Sequence, residues 1–231
     1  MGITSKLLGT TILASGGFIG YLAATTSITA PLPAADPIWS SKPYSEYNVH
    51  RNPSTQDVVT KRIPVGRIRP ELLGELGPDA LVTEFCRGVW GGWGYRVQRR
   101  YLEDRHLGPG TSSQLWTPSQ LSAADYAPGA RITDHFEVVE KTPSAITVRA
   151  GDTPRNASPR DSDGLFVIGA RVDEEKGEVE LSLKSCFFTS SKKVEGGQDR
   201  SPVGPMPQWM EIAHRWYARL WMASASGWVT R

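Results

Sequence analysis

Between Arg131 and Phe188, apolar and polar positions alternate in four runs separated by turn signals. The runs are 132–139, 145–150, 165–172 and 178–188, and each is rich in β-branched and aromatic residues. Alternation with period two predicts strands with one face turned to a core. Thr142-Pro143-Ser144 and Asp173 to Gly177 are short enough for hairpin turns, whereas 151–164 is a longer polar connection. The simplest topology is an antiparallel meander. A further strand, 57–63, closes at Pro64 and is expected at a sheet edge.

Helical spacing replaces alternation in two places. After Pro78-Asp79, Leu81, Val82, Phe85, Val89 and Trp90 recur at i, i+3 and i+4. Gly88, Gly91, Gly92 and Gly94 then interrupt the pattern, and Tyr95 to Leu102 resumes it with a basic outer face. Glycine costs about 1 kcal/mol relative to alanine inside a helix, so this run predicts a break or kink. Glycines set between Trp90, Trp93 and Tyr95 also permit close approach of another element or a ligand. The second place is the C-terminal stretch 207–225. There Trp209, Ile212, Ala213, Trp216, Leu220 and Ala223 lie on one side, widened by Met206, Met210, Tyr217, Trp221 and Met222. Such a helix needs a partner for its aromatic face, and the sheet is the obvious one. The expected fold is α+β: an antiparallel sheet of four to six strands on a long C-terminal helix, in the helix-grip manner, with an N-terminal hydrophobic helix.

Residues 7–28 carry no charge, a length sufficient to cross a bilayer. The expectation is a single-pass membrane anchor within residues 1–29, with a cleaved secretory signal as the alternative. Residues 30–55 contain five prolines and read as a linker, yet Trp39, Tyr44 and Tyr47 suggest that it lies against the domain. Residues 56–231 form the single folded domain.

Composition changes this picture little. The 231-residue chain is 39% hydrophobic and 22% charged, so an ordinary core can form. Its net charge is +2, without the clustered basic face that nucleic acid would want. Eight Trp bias the reading toward large apolar surfaces or a lined pocket. Cys86 and Cys186 are the only cysteines and read as buried free thiols, with a disulfide the other possibility.

Candidate chemistry is sparse. In Thr133-Asp134-His135-Phe136-Glu137, strand alternation would place His135 and Glu137 on one face, as a general base and the carboxylate orienting it. A solvent-facing polar row is the competing explanation. Trp90, Trp93, His214 and Trp216 are the candidate ligand-binding residues. Arg160 to Gly164 reads as a turn former more than a site. No spacing in the chain matches a zinc motif, a dinucleotide fingerprint, a P-loop or a nucleophile elbow, so no metal or cofactor is expected.

Phe85 to Trp90, Ile132 to Pro143, Asp161 to Phe166 and Leu220-Trp221-Met222 resemble an uncharacterised family of filamentous-fungal proteins. Its members share an N-terminal hydrophobic segment and a strand-rich core, and some lie near secondary-metabolite genes. More loosely, the strand run and aromatic C-terminal helix are similar to bacterial domains of unknown function. Neither resemblance brings a catalytic residue. Two functions follow as expectations. One is a membrane-anchored protein that binds a lipophilic small molecule, with cofactor-free cyclisation or isomerisation as its chemistry and secondary-metabolite biosynthesis as its setting. The other is a non-catalytic membrane-tethered interaction or structural protein.

Overall fold

The computed structural model describes residues 17–231. Its centre is a seven-stranded antiparallel sheet. The strands are β1 (Ser27–Thr29), β2 (Thr55–Pro64), β3 (Arg131–Ile132), β4 (Phe136–Lys141), β5 (Ala145–Ala150), β6 (Asp163–Asp173) and β7 (Glu178–Phe188). Their spatial order is β1-β2-β7-β6-β5-β4-β3, so β3 to β7 form the expected meander. The sheet exceeds the expected four to six strands because two short edge strands, β1 and β3, extend it. β2 is interior, paired with β7 over its whole length and with β1 on its other side.

The helices are α1 (described over residues 17–25), α2 (Lys42–Tyr47), α3 (Ala80–Gly91), α4 (Arg96–His106), α5 (Pro118–Ala123) and α6 (Gln208–Ser226). Residues 7–16 of the expected anchor lie outside the described residues. In its described part α1 runs to Thr25, and Ser27 to Thr29 then pair with β2. Among the described residues no helix is long and apolar enough to cross a membrane.

Both faces of the sheet are covered, and alternation divides each strand between them. Val59, Val148, Phe166, Ile168, Leu181 and Leu183 point into the larger core, beneath α3 and α6. Leu165, Cys186 and Phe188 point the other way, onto Leu32, Ile38, Trp39 and Tyr44. The proline-rich stretch is therefore a cover for the second face. Pro37 and Pro43 stand at the starts of its two short helical pieces, while Trp39 and Tyr44 are buried. Asp36 caps a one-turn 3-10 helix (Pro37–Ser40), and Ser41 accepts from Tyr44 N at 3.3 Å to open α2.

The glycine run breaks the helix as its composition demands. α3 ends at Gly91 and α4 begins at Arg96. Its reason is packing: a Cβ on Gly88 would lie 2.8 Å from Ala225 O and from the Trp228 ring. Gly94 N donates to Ser224 Oγ at 3.0 Å. Small residues on both sides let α3 and the C-terminal half of α6 approach closely.

This contact corrects the expected face of α6. Trp209, Ile212, Ala213 and Trp216 are exposed, and Leu220 and Ala223 are only partly covered. The buried side is Ala218, Trp221, Met222 and Ala225. Both sides of this helix are apolar, so periodicity alone does not choose between them. The small residues that fit against Gly88 and Gly94 do.

Candidate functional site

A pocket of about 610 Å³ lies between α6 and one end of the sheet. Phe136, Ala150, Phe166 and Phe187 supply its sheet side, from the ends of β4, β5, β6 and β7. Met210, His214, Tyr217, Ala218 and Trp221 supply the helix side, and Gln98 of α4 joins them. The wall is mostly apolar. Its polar groups are held in place: Tyr217 donates from its hydroxyl to Gln98 Oε1 at 3.1 Å, and Asp161 accepts from Ser191.

His214 has the most constrained setting. Its Nε2 is 2.9 Å from Ser185 Oγ, and its ring meets Phe187 edge-on with centroids 5.3 Å apart. Asp57 lies behind this contact, with Oδ1 3.9 Å from His214 Nε2. Asp57 and Ser185 are register partners on β2 and β7, so the sheet fixes both under the helix. The Asp57 carboxylate is fully buried, and neither oxygen has a hydrogen-bond partner among the described residues. Arg215 Nε approaches only to 3.6 Å, beyond hydrogen-bond length. Burial therefore outweighs the arginine and pushes Asp57 up to about 6. Burial, with Arg215 adding to it, lowers His214 to about 4 and keeps it a neutral imidazole.

Two groups whose environments drive them in opposite directions are a recurring acid–base arrangement. Here the carboxyl is the one poised near neutrality, and the imidazole stands between it and the pocket. Ser185 and Asp57 both address Nε2, so the three do not form a nucleophile–base–orienter relay, which needs the two ring nitrogens to serve different partners.

His135 also lines the pocket, beside Phe136, and burial lowers its affinity for a proton. Glu137 does not join it. The strand expected from Ile132 onward is interrupted at Thr133 and Asp134, both with φ near +50°, and β4 starts only at Phe136. A β-branched threonine in this region is held only by strong surroundings. They are present: Asp134 accepts from Gln114, Thr153 and Arg155 at 2.6–3.1 Å, and Thr133 bonds Tyr95. The turn leaves His135 on the pocket side, while Glu137 faces the opposite sheet surface near Tyr47, bonded to Arg131 at 3.2 Å. Alternation counted across 133–137 therefore fails.

Of the expected ligand-binding residues, His214 lines the pocket. Trp90 is buried behind it, its ring packed on Phe136, Phe166 and Trp221 at 4.7–6.1 Å. Trp93 and Trp216 are on the outer surface. Asp57 and Ser185 were not expected, yet the sequence holds a signal for each. Asp57 shares its strand face with Val59 and Ile63, and Ser185 falls between Leu183 and Phe187 on an otherwise apolar face.

Cys86 and Cys186 are free and buried on opposite sides of the sheet. Burial raises both thiols, Cys186 to about 12, which disfavours the thiolate a nucleophile needs. Asp163, from the acidic turn, forms a buried pair with Arg149 at 2.7 Å. Among the described residues no group of three or more His, Cys, Asp or Glu could hold a metal ion. No family model, curated protein or solved structure matches the chain.

Proposed function

We propose that this protein binds a lipophilic small molecule between its sheet and α6. The observation that carries this reading is the pocket itself: about 610 Å³, walled by Phe136, Phe166, Phe187, Met210 and Trp221, with His135, His214 and Tyr217 as polar points. Small-molecule sites commonly combine an apolar wall of this volume with a few convergent polar groups. An uncharged N-terminal segment that holds the protein at a membrane suits a ligand that partitions into lipid. The resemblance to fungal proteins, some near secondary-metabolite genes, supports a biosynthetic setting.

A lipophilic fluorescent probe titrated into the full chain tests the reading. Met210→Trp narrows the pocket at its partly exposed rim, where the fold has least to lose. Probe affinity should fall about tenfold, a difference of about 1.4 kcal/mol. Unchanged affinity in Met210→Trp and in a second pocket-narrowing variant, Ala150→Leu, would sink it.

A second reading is favoured by the Asp57–His214 contact: cofactor-free proton transfer, as in an isomerisation or cyclisation. His214 would contact the ligand, and Asp57 would act through His214 as proton store and positioning residue. The earlier candidate pair is replaced, since Glu137 lies on the far face of the sheet from His135. Conversion lost in both Asp57→Asn and His214→Gln, with probe binding retained, supports this; conversion retained in both removes it.

A further inference from the structure

The exposed side of α6 is more apolar than a solvated helix needs. Trp209 and Ile212 are 68% and 50% exposed, and Trp216 and Met210 are also open. The apolar surface continues beyond this helix. Tyr217 bonds Gln98, which ties α6 to α4, and the neighbouring Val97 is 77% exposed. Trp93 and Tyr101 stand on either side of Val97 and are open too. Phe18 of α1 meets Trp93 with ring centroids 6.2 Å apart, and Ile19 is exposed beside it. Three separate elements thus present large apolar side chains in one neighbourhood. Scattered exposed apolar residues need no explanation, but a shared patch of this kind does.

Charge indicates what covers it. Arg96, Arg100 and Arg105 are interleaved with the apolar residues of α4 and exposed, and Arg105 stacks on Tyr101 at 4.3 Å. Glu103 and Glu211 are already engaged by Arg99 and Arg215. Arg96 and Arg100 have no carboxylate partner among the described residues. Trp, Tyr and aliphatic side chains mixed with free arginine suit a bilayer interface: rings enter the headgroup boundary and guanidinium groups meet lipid phosphates. The location agrees. Residues 7–16 carry no charge, and Phe18 of α1 lies beside Trp93. The pocket lies between α6 and the sheet, with Gln98 of α4 beside Met210 and Tyr217 in its wall.

We propose that the outer face of α1, α4 and the N-terminal half of α6 docks the folded domain onto an anionic lipid bilayer. This contact is additional to any anchoring by the N-terminal segment. It puts the pocket beside the membrane surface from which a lipophilic ligand would enter. It does not depend on the pocket reading, because it rests on exposure and charge alone.

The test uses the full chain with a single new cysteine carrying an environment-sensitive dye. Both native cysteines are buried, so a label at Ile212→Cys or Val97→Cys is selective. Val49→Cys, exposed on the proline-rich segment that covers the opposite sheet face, is the control. Vesicles of phosphatidylcholine with phosphatidylserine should shift the emission to the blue at 212 and 97 but not at 49. Arg96→Gln with Arg100→Gln should raise the lipid concentration required about tenfold or more. The proposal is overturned if 212 and 97 do not shift, or if 49 shifts equally. Equal binding to pure phosphatidylcholine vesicles would remove the anionic commitment. Labels already blue-shifted without lipid and unchanged by it would mean that a second copy or residues 1–16 cover the face, which also overturns it.

Discussion

Asp57 and Ser185 face each other across β2 and β7, and both approach His214 Nε2, at 3.9 and 2.9 Å. This cross-strand pair makes the pocket end of the sheet chemically distinct from the apolar rest of its face. It also predicts a pH dependence whose two parts oppose each other. Asp57 has its folded value raised to about 6, so the fold favours its protonated form. Its contribution is present below the unfolded carboxylate range near 4 and is lost as pH rises toward 6. His214 has its folded value lowered to about 4, so the fold favours the neutral ring. That contribution is present above about 6.5 and is lost as pH falls toward 4. Each shift of about two units corresponds to ~3 kcal/mol at most. Between about pH 4 and 6 the two should largely cancel. Relative to the unaltered chain, Asp57→Asn should gain stability as pH rises through this window, and His214→Gln should lose it. Urea unfolding of all three proteins across the window measures the differences; parallel profiles would contradict the assignment.

Gly88→Ala should destabilise the protein although alanine is the better helix former. The propensity gain is about 1 kcal/mol. Against it, the new methyl would lie 2.8 Å from a backbone carbonyl and a tryptophan ring, and overpacking of this kind costs about 1–3 kcal/mol. Because Ala225 O is backbone, the neighbour cannot simply swing aside. Denaturant midpoints should show a net loss for Gly88→Ala and almost no change for Gly66→Ala, whose methyl would meet open space.

Asp163→Ala should be among the costliest single changes. Its carboxylate accepts from Arg149 at 2.7 and 2.9 Å and from Ser190 at 2.6 Å, with both charged side chains buried. Removing one partner strands the other charge and costs about 3–5 kcal/mol. A melting temperature lowered by several degrees is expected. A change of less than one degree would mean that the pair is solvated.

Neither cysteine should react with a thiol reagent in the native state over minutes, and both should react at once in denaturant. Burial deprives each of reagent access and of its thiolate. Rapid native labelling of either would show that the core opens.

Much of the architecture was legible because burial on a pleated surface imposes period two on any sequence. The run 178–188 is β7, and Ala145–Ala150 is β5. Gly88 to Gly94 announced the break between α3 and α4. The failures have local causes. At Thr133-Asp134 a left-handed turn, held by Gln114, Thr153, Arg155 and Tyr95, resets the alternation, and no residue near the turn reveals those distant partners. At α6 the helix is apolar on both sides, so periodicity allowed either face.

The sequence by itself determined the strand meander and the helix break at the glycines, because each depends on neighbours close along the chain. Only the tertiary structure decided which residues share the pocket. Asp57 precedes both Ser185 and His214 by more than a hundred residues, and β2–β7 pairing with α6 packing brings the three together. His135 and Glu137, two residues apart, are separated by the sheet itself. Proximity in a folded chain follows hydrogen-bond register and helix packing, and neither is written in the spacing of the residues it joins.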